Sequence, residues 1–203
     1  MGNRKNMVCT IFLIAMNVIV FIALSFGGMT EDAYYMFEHG AMYTPSFLYD
    51  KEYYRIFTSL FMHFGFEHLM NNMLMLGILG KYLEPAIGHV KFVLIYFLSG
   101  LGGNVLSMLG ELKLDDYYVS AGASGAVFGL TGALLCLTSL YRGRIKGVTQ
   151  QGMLFMIAIS LYNGFTSTGV DNLAHLGGAI FGFIVTWILS LKLNREGRTD
   201  IYC

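Results

Sequence analysis

Charge is what this sequence has least of. Only 13% of its 203 residues are Asp, Glu, Lys or Arg, against 55% hydrophobic ones, and mean hydropathy is +0.58. Soluble globular domains carry about a quarter charged residues, so a water-soluble monomer is set aside. Neither sign of charge prevails, because 13 Lys+Arg offset 13 Asp+Glu. Without a basic field to hold phosphates nucleic-acid binding is not expected, and without an acidic bias or a shortage of apolar residues neither is disorder. Cysteine is scarce as well. Cys9, Cys136 and Cys203 are too few and too scattered for a disulfide framework, and none has CxxC or Cys/His metal spacing, so all three read as unpaired thiols and no metal is expected.

What the chain does have is apolar length. A bilayer core of ~30 Å takes about 20 mostly apolar residues per helix. Six such stretches recur: 8–26, 60–82, 89–109, 121–140, 149–165 and 172–193, each bounded by charged or turn-forming residues. The fifth is the weakest, since Gln150, Gln151 and Asn163 shorten its apolar run. The expectation is an all-α, polytopic six-helix bundle forming one membrane domain over 1–203, with the lipid bilayer as its solvent. Arg4 and Lys5 before the first stretch, with Ala23-Leu24-Ser25 near its end, also suit a cleaved signal peptide. The apolar run is longer than a signal h-region, so a retained helix is expected. Met1-Gly2 does not make a myristoylation start, because Asn6 stands where Ser or Thr is required.

Basic loop residues stay on the cytoplasmic side. Arg4, Lys5, Lys81, Lys91, Arg142, Arg144, Lys146, Lys192, Arg195 and Arg198 fall on one side of the six-span arrangement. Only Lys51, Arg55 and Lys113 fall on the other, among Glu31, Asp32, Glu38, Asp50, Glu52, Glu111, Asp115, Asp116 and Asp171. Both termini are therefore expected inside. The long first external loop, Gly27 to Ser59, carries Tyr34, Tyr35, Phe37, Tyr43, Phe47, Tyr49, Tyr53 and Tyr54. These rings fit either an aromatic belt at headgroup level or a partly embedded loop that shapes lateral access to a site.

Polar and ionisable residues inside a span are costly, and each is a functional-site hypothesis. The second stretch holds His63, His68 and Asn72, the fourth Ser124, the sixth His175. All three run from outside to inside, which puts the five residues in the outer half. At a rise of ~1.5 Å per residue, Ser124 lies ~5 Å below Ala121, His175 ~6 Å below Asp171 and His68 ~12 Å below Leu60. Taken singly, a membrane serine more often bonds a carbonyl one turn back and a histidine more often packs. Together at one shallow depth they are the minimum for nucleophilic catalysis, in which imidazole takes the hydroxyl proton and returns it to the leaving amine.

Ser124 sits in Gly122-Ala123-Ser124-Gly125 at the opening of a helix, where unpaired N–H groups and the dipole favour an anion. An oxyanion formed by Ser124 attack could be held there, with the Asn72 amide and the His68 imidazole as side-chain donors from the neighbouring helix. Gly125 and Gly129, and Ala174, Gly178 and Gly182, follow the small-xxx-small spacing that lets two helices approach closely. Asp171, one turn before His175, reads as an N-cap, which leaves a dyad. Glu67 is the one acidic residue expected near a helical core.

The whole set resembles the rhomboid intramembrane serine proteases over nearly the full chain. His63, His68 and Asn72 are similar to the family's HxxxxHxxxN pattern, Gly122 to Gly125 to its GxSG, and Ala174-His175 with Gly178 and Gly182 to its AHxxGxxxG. Gly80, Glu84 and Gly88 resemble a structural element after the second helix. The resemblance implies Ser124 as nucleophile, His175 as general base, and an oxyanion hole of His68, Asn72 and the Ser124 backbone N–H, with His63 structural. Arg55 after Tyr54 departs from the family's Trp-Arg pair, and Phe128 stands where some members place a Tyr against the catalytic histidine. It further implies single-pass transmembrane protein substrates cut near the outer face, no cofactor, and, for so minimal a plan, a bacterial plasma membrane. The competing class is a non-catalytic relative or a small transporter with a histidine proton relay, but the chain has both Ser124 and His175 and shows no inverted repeat.

Overall fold

The computed structural model describes residues 7–140, 144–145, 148–166 and 169–193. Met1, Gly2, Arg4, Lys5, Asn6, Arg142, Lys146, Arg195, Arg198 and Cys203 lie outside the described residues, as do the side chains of Arg144, Asn163 and Lys192. The described chain is mostly helical. Its elements are α1 (Val8–Gly27), α2 (Ala33–Glu38), α3 (Thr44–Leu48), α4 (Arg55–Thr58), α5 (Gly65–Ile87), α6 (His89–Leu114), α7 (Ser124–Leu140), the two-residue strands β1 (Arg144–Ile145) and β2 (Val148–Thr149), α8 (Gln150–Thr166) and α9 (Asn172–Leu193). The strands pair antiparallel, Ile145 opposite Val148, as a small hairpin leading into α8.

Three described helical segments are long and apolar enough to cross a bilayer, Val8–Gly27, His89–Leu114 and Asn172–Ser190; α7 is apolar but shorter. Ile11, Leu74, Phe155, Trp187 and many other large apolar side chains face outward. An apolar exterior of this extent suits hydrocarbon rather than water. α7 is the central helix, with 12 of its residues buried. The main core joins Leu76, Leu79 and Leu83 of α5, Phe92, Ile95 and Tyr96 of α6, and Leu130, Leu134 and Leu137 of α7.

Six long helices are described, α1, α5, α6, α7, α8 and α9, and two of them start later than the sequence suggests. The second was expected from Leu60, yet Ser59–Phe61 is a 3₁₀ turn, Met62 is extended and α5 begins only at Gly65, whose φ is +78°. It then runs past Tyr82, through Pro85, to Ile87. The fourth was expected from Ala121, but Gly122 at φ +147° holds the chain out of the helix until Ser124. The depths shift accordingly: Ser124 opens its helix instead of lying a turn inside, and His68 is ~5 Å below the start of its helix instead of ~12 Å. α6 extends to Leu114, where Asp115 turns left-handed at φ 53°.

The acidic expectation also needs correcting. Glu67 is exposed, whereas Glu84 is fully buried and Glu111 is 4% exposed, both within long helices. Only the family resemblance singled out Glu84, because the partners that account for its burial are far away in sequence. Its carboxylate accepts the backbone N–H groups of Cys9 and Thr10 at 2.8 Å each, the Thr10 hydroxyl at 2.5 Å, and lies 2.5 Å from His89 Nδ1. It is a negative cap on the opening of α1, supplied from the end of α5. Gly80 lets Thr10 lie against α5, since a Cβ there would collide with its side chain. Cys9 and Cys136 are free thiols, as expected.

The long loop between α1 and α5 folds back on itself. Arg55, 3% exposed, donates to the carbonyls of Phe37 and Ala41 at 2.6 and 2.9 Å, pairs with Glu52 at 2.5 Å and lies over the Phe37 ring at 4.3 Å. Met36, Ala41 and Met62 form a small second core against Val20, Leu24, Val119 and Ala121. Met42 and Ser120 exchange two backbone hydrogen bonds of 2.8 and 2.9 Å, which tie the loop to the segment leading into α7.

Candidate active site

Ser124 is the first residue of α7, and Ala123 before it accepts the first helical bond, from Val127 at 2.9 Å. The N–H groups of this turn have no carbonyl behind them and point where the Gly122-Ala123-Ser124-Gly125 loop arrives. That loop is held from two directions. Gly122 donates to the Ser59 carbonyl at 2.9 Å, and the Ala123 N–H donates to His63 Nε2 at 3.4 Å. The His63 ring is wholly buried and packs edge-on against His68, with centroids 5.1 Å apart. Gly122 is there for space as well as for its φ. A Cβ on it would lie 2.8 Å from His68 Cε1 and 3.5 Å from Ser124 Oγ, so the imidazole of α5 and the hydroxyl of α7 border the same small gap.

Asn72, 6% exposed, stands one turn beyond His68 on α5. Its amide nitrogen donates back to the His68 carbonyl at 2.9 Å, leaving one amide hydrogen uncommitted. The carboxamide is thus partly spent on its own helix, a detail that sequence spacing does not carry.

His175 lies in the first turn of α9. Phe128, one turn after Ser124 on α7, stacks on the imidazole with centroids 4.3 Å apart and planes 10° from parallel. No hydrogen bond joins Ser124 and His175 directly, and His175 Nδ1 is buried with no partner. The neighbouring Asp171 is committed elsewhere. Its Oδ1 accepts the Ala174 N–H at 2.8 Å, the N-cap geometry, and its Oδ2 accepts the Ser107 hydroxyl of α6 at 2.6 Å. Ser107 gives its one proton to Asp171, so the Tyr118 hydroxyl at 3.2 Å is the donor to Ser107. Burial pushes the Asp171 carboxyl above the usual carboxylate range while its bonds from Ser107 and Ala174 pull it back; burial lifts Tyr118 to about 12. Ser107 and Tyr118 gave no signal in the sequence, because a single hydroxyl in a glycine-rich helix is unremarkable until its partner is known.

The close approach that the glycine spacing anticipated is present. A Cβ on Gly178 would lie 2.0 Å from the Gly125 carbonyl oxygen, and one on Gly182 the same distance from that of Gly129, so α7 and α9 touch backbone to backbone over successive turns. Gly129 itself is needed chiefly against Ser99 of α6, where its Cβ would fall 2.0 Å away. Arg55, by contrast, stands in the loop and not at the serine. A cavity of about 90 Å³ lies beside Phe128 between α5, α7 and α8, lined by Met75, Val127, Thr131, Met156, Ile157 and Ser160. The site's histidines do not form a three-ligand cluster; among the described residues, only Cys9, Glu84 and His89 bring three ligand atoms within 4.8 Å of one another.

Comparison with known proteins bears on the same region. A family model described as the Rhomboid domain matches residues 50–192. RHOMBOID-like protein 1 of Arabidopsis thaliana is 37% identical over 157 residues, 75% of this chain and 39% of that protein. Rhomboid protease GluP of Bacillus subtilis (strain 168) is 32% identical over 182 residues, 90% of this chain and 35% of that protein. The YdcA protein of the same strain is 33% identical over 146 residues, 71% of each chain. The chain thus spans between a third and a half of the length of the first two relatives.

Proposed function

The chain belongs to the rhomboid family, and on that premise we propose that it is an intramembrane serine endopeptidase that cuts transmembrane segments of other membrane proteins with a Ser124–His175 dyad. It is an integral membrane protein. In this reading α1, α5, α6, α7, α8 and α9 are six transmembrane helices of one domain over 1–203, with both termini cytoplasmic in a bacterial plasma membrane. The observation that carries the reading is the stacking of His175 on Phe128, one turn from a serine that opens its helix beside His68.

Substrate unwinds near the outer face and presents a carbonyl to the first turn of α7. His175 takes the hydroxyl proton as Ser124 Oγ attacks, a small side-chain rotation closing the contact absent at rest. The tetrahedral oxyanion falls among the Ser124 N–H, the free amide hydrogen of Asn72 and the His68 ring. His175 returns the proton to the leaving amine, and water then releases the acyl group by the reverse sequence. Asp171 does not serve the imidazole, so a dyad suffices, with no cofactor or metal in the step. A histidine proton relay gains nothing from the buried carboxylates, because Glu84 is occupied in capping α1 and neither it nor Glu111 adjoins the histidine cluster.

The test is purified protein in detergent incubated with a panel of single-span reporter proteins, the fragments being identified by mass. Cleavage within or beside the span is expected, and none with Ser124→Ala. Cleavage by Ser124→Ala in a preparation free of other proteases would end the serine reading.

A further inference from the structure

Away from Ser124, at the other end of α5, three helices deliver one ligand-bearing side chain each. Cys9 is in the first turn of α1, Glu84 in the last turn of α5, and His89 opens α6. The Cys9 Sγ, a Glu84 carboxylate oxygen and a His89 ring nitrogen all lie within 4.8 Å of one another. Positions 68 and 84 are ~24 Å apart along α5, so this cluster is separate from the serine and its histidines.

The three groups differ in how firmly they are held. Glu84 is fixed: it is wholly buried, and both its oxygens accept from the opening of α1. The Cys9 thiol is free and half-buried, and the His89 side chain is 44% exposed, which leaves a side open to water. The Glu84–His89 contact of 2.5 Å orients the imidazole and keeps its Nδ1 toward the cluster.

We infer that Cys9, Glu84 and His89 form a binding site for a divalent transition metal, zinc above all, with water as the fourth ligand. Thiolate, imidazole and carboxylate together suit Zn²⁺ and do not suit Mg²⁺ or Ca²⁺, which prefer oxygen donors throughout. Zinc bonds of ~2.0–2.3 Å in a tetrahedron set ligand atoms ~3.5 Å apart, so the Glu84–His89 pair, now 2.5 Å apart, opens by ~1 Å while the thiol closes in, movements that rotation of the exposed His89 ring and of the Cys9 side chain supply. The Cys9 thiol loses its proton to solvent as its sulfur–metal bond forms, and the proton between His89 Nδ1 and Glu84 moves to His89 Nε2 or to solvent, so affinity rises with pH. Bound metal staples the start of α1 to the α5–α6 junction, takes no part in peptide cleavage, and does not depend on the protease assignment. Sequence spacing could not reveal the site, because its members stand at 9, 84 and 89.

Untagged full-length protein in detergent, stripped of metal, is titrated with Co²⁺ as a spectroscopic probe and then with Zn²⁺. The expected result is one Co²⁺ per chain with a near-ultraviolet thiolate charge-transfer band, bleached by equimolar Zn²⁺. The band should be absent in Cys9→Ser and unchanged in Cys136→Ser, and His89→Ala should weaken binding more than ~10-fold. Zn²⁺ should also raise the unfolding temperature of the natural chain and not of Cys9→Ser, whose helical circular dichroism confirms folding. No band at several-fold excess Co²⁺, or one that survives Cys9→Ser, would overturn the assignment.

Discussion

If His175 takes the Ser124 proton, removing either partner ends the same step, and the two losses do not add. Ser124→Ala, His175→Ala and the double variant should be equally inactive against reporter substrates while keeping native helical content and thermal unfolding. The donors around the oxyanion behave differently, because they act on charge that exists only in the transition state. His68→Ala and Asn72→Ala should lower kcat more than they raise KM, by up to ~2.7–4 kcal/mol of transition-state stabilisation, with Asn72 at the lower end since part of its amide already serves the His68 carbonyl. Steady-state kinetics on one reporter decides it: full kcat with only a raised KM would remove both from the role. These residues were legible in the sequence because a serine, histidines and an asparagine are conspicuous among apolar neighbours. The Asn72–His68 bond and the Tyr118–Ser107–Asp171 chain were not, since a hydroxyl or amide does not announce which distant group it will meet.

Among the elements, α9 carries His175 in its first turn and is anchored by a cap and by contact. Asp171 satisfies the Ala174 N–H and reaches across to Ser107, so it holds the frame in which the imidazole sits. Asp171→Ala should cost ~0.5–2 kcal/mol in stability and slow turnover as the first turn loosens, whereas Asp171→Asn, which can still accept the Ala174 N–H, should restore most of both. Thermal unfolding and kcat on the same preparations separate this from a direct chemical role, for which Asn would not rescue. Further along, Gly178 admits the Gly125 carbonyl so closely that even Ala would meet it at 2.0 Å. Gly178→Leu should cost at least ~1–3 kcal/mol in stability, yet activity should fall further, since a displacement of ~1 Å at the dyad can lower rate ~100-fold. Near-normal cleavage by this variant would contradict the contact. Apolar periodicity and small-residue spacing made the long helices and this crossing readable. The starts of α5 and α7 were misjudged because hydropathy does not register a glycine with positive φ inside an apolar run.

For the molecule as a whole, the cohesion of α1 depends on a residue that is not in it. A central α7 is wrapped by α5, α6, α8 and α9, with α1 packed outside and pinned at its opening by Glu84. Glu84→Ala should leave the N–H groups of Cys9 and Thr10 without a partner, at ~1–3 kcal/mol each where no water reaches them, and should lower the unfolding temperature far more than Glu67→Ala, whose carboxylate is exposed. Equal effects in the two variants would show that the cap contributes nothing. Fold class and membrane residence follow from the long apolar runs, since a helix satisfies its own backbone in lipid. The folding of the loop between α1 and α5 does not, because its hold depends on Arg55 reaching two carbonyls and on one pair of strand-like bonds. That pair, Met42 with Ser120, leaves only Ala121 to Ala123 between the loop and Ser124. The loop is therefore a lever whose short arm ends at the hydroxyl: a rigid binder that seizes residues 40–50 can shift the serine without touching it.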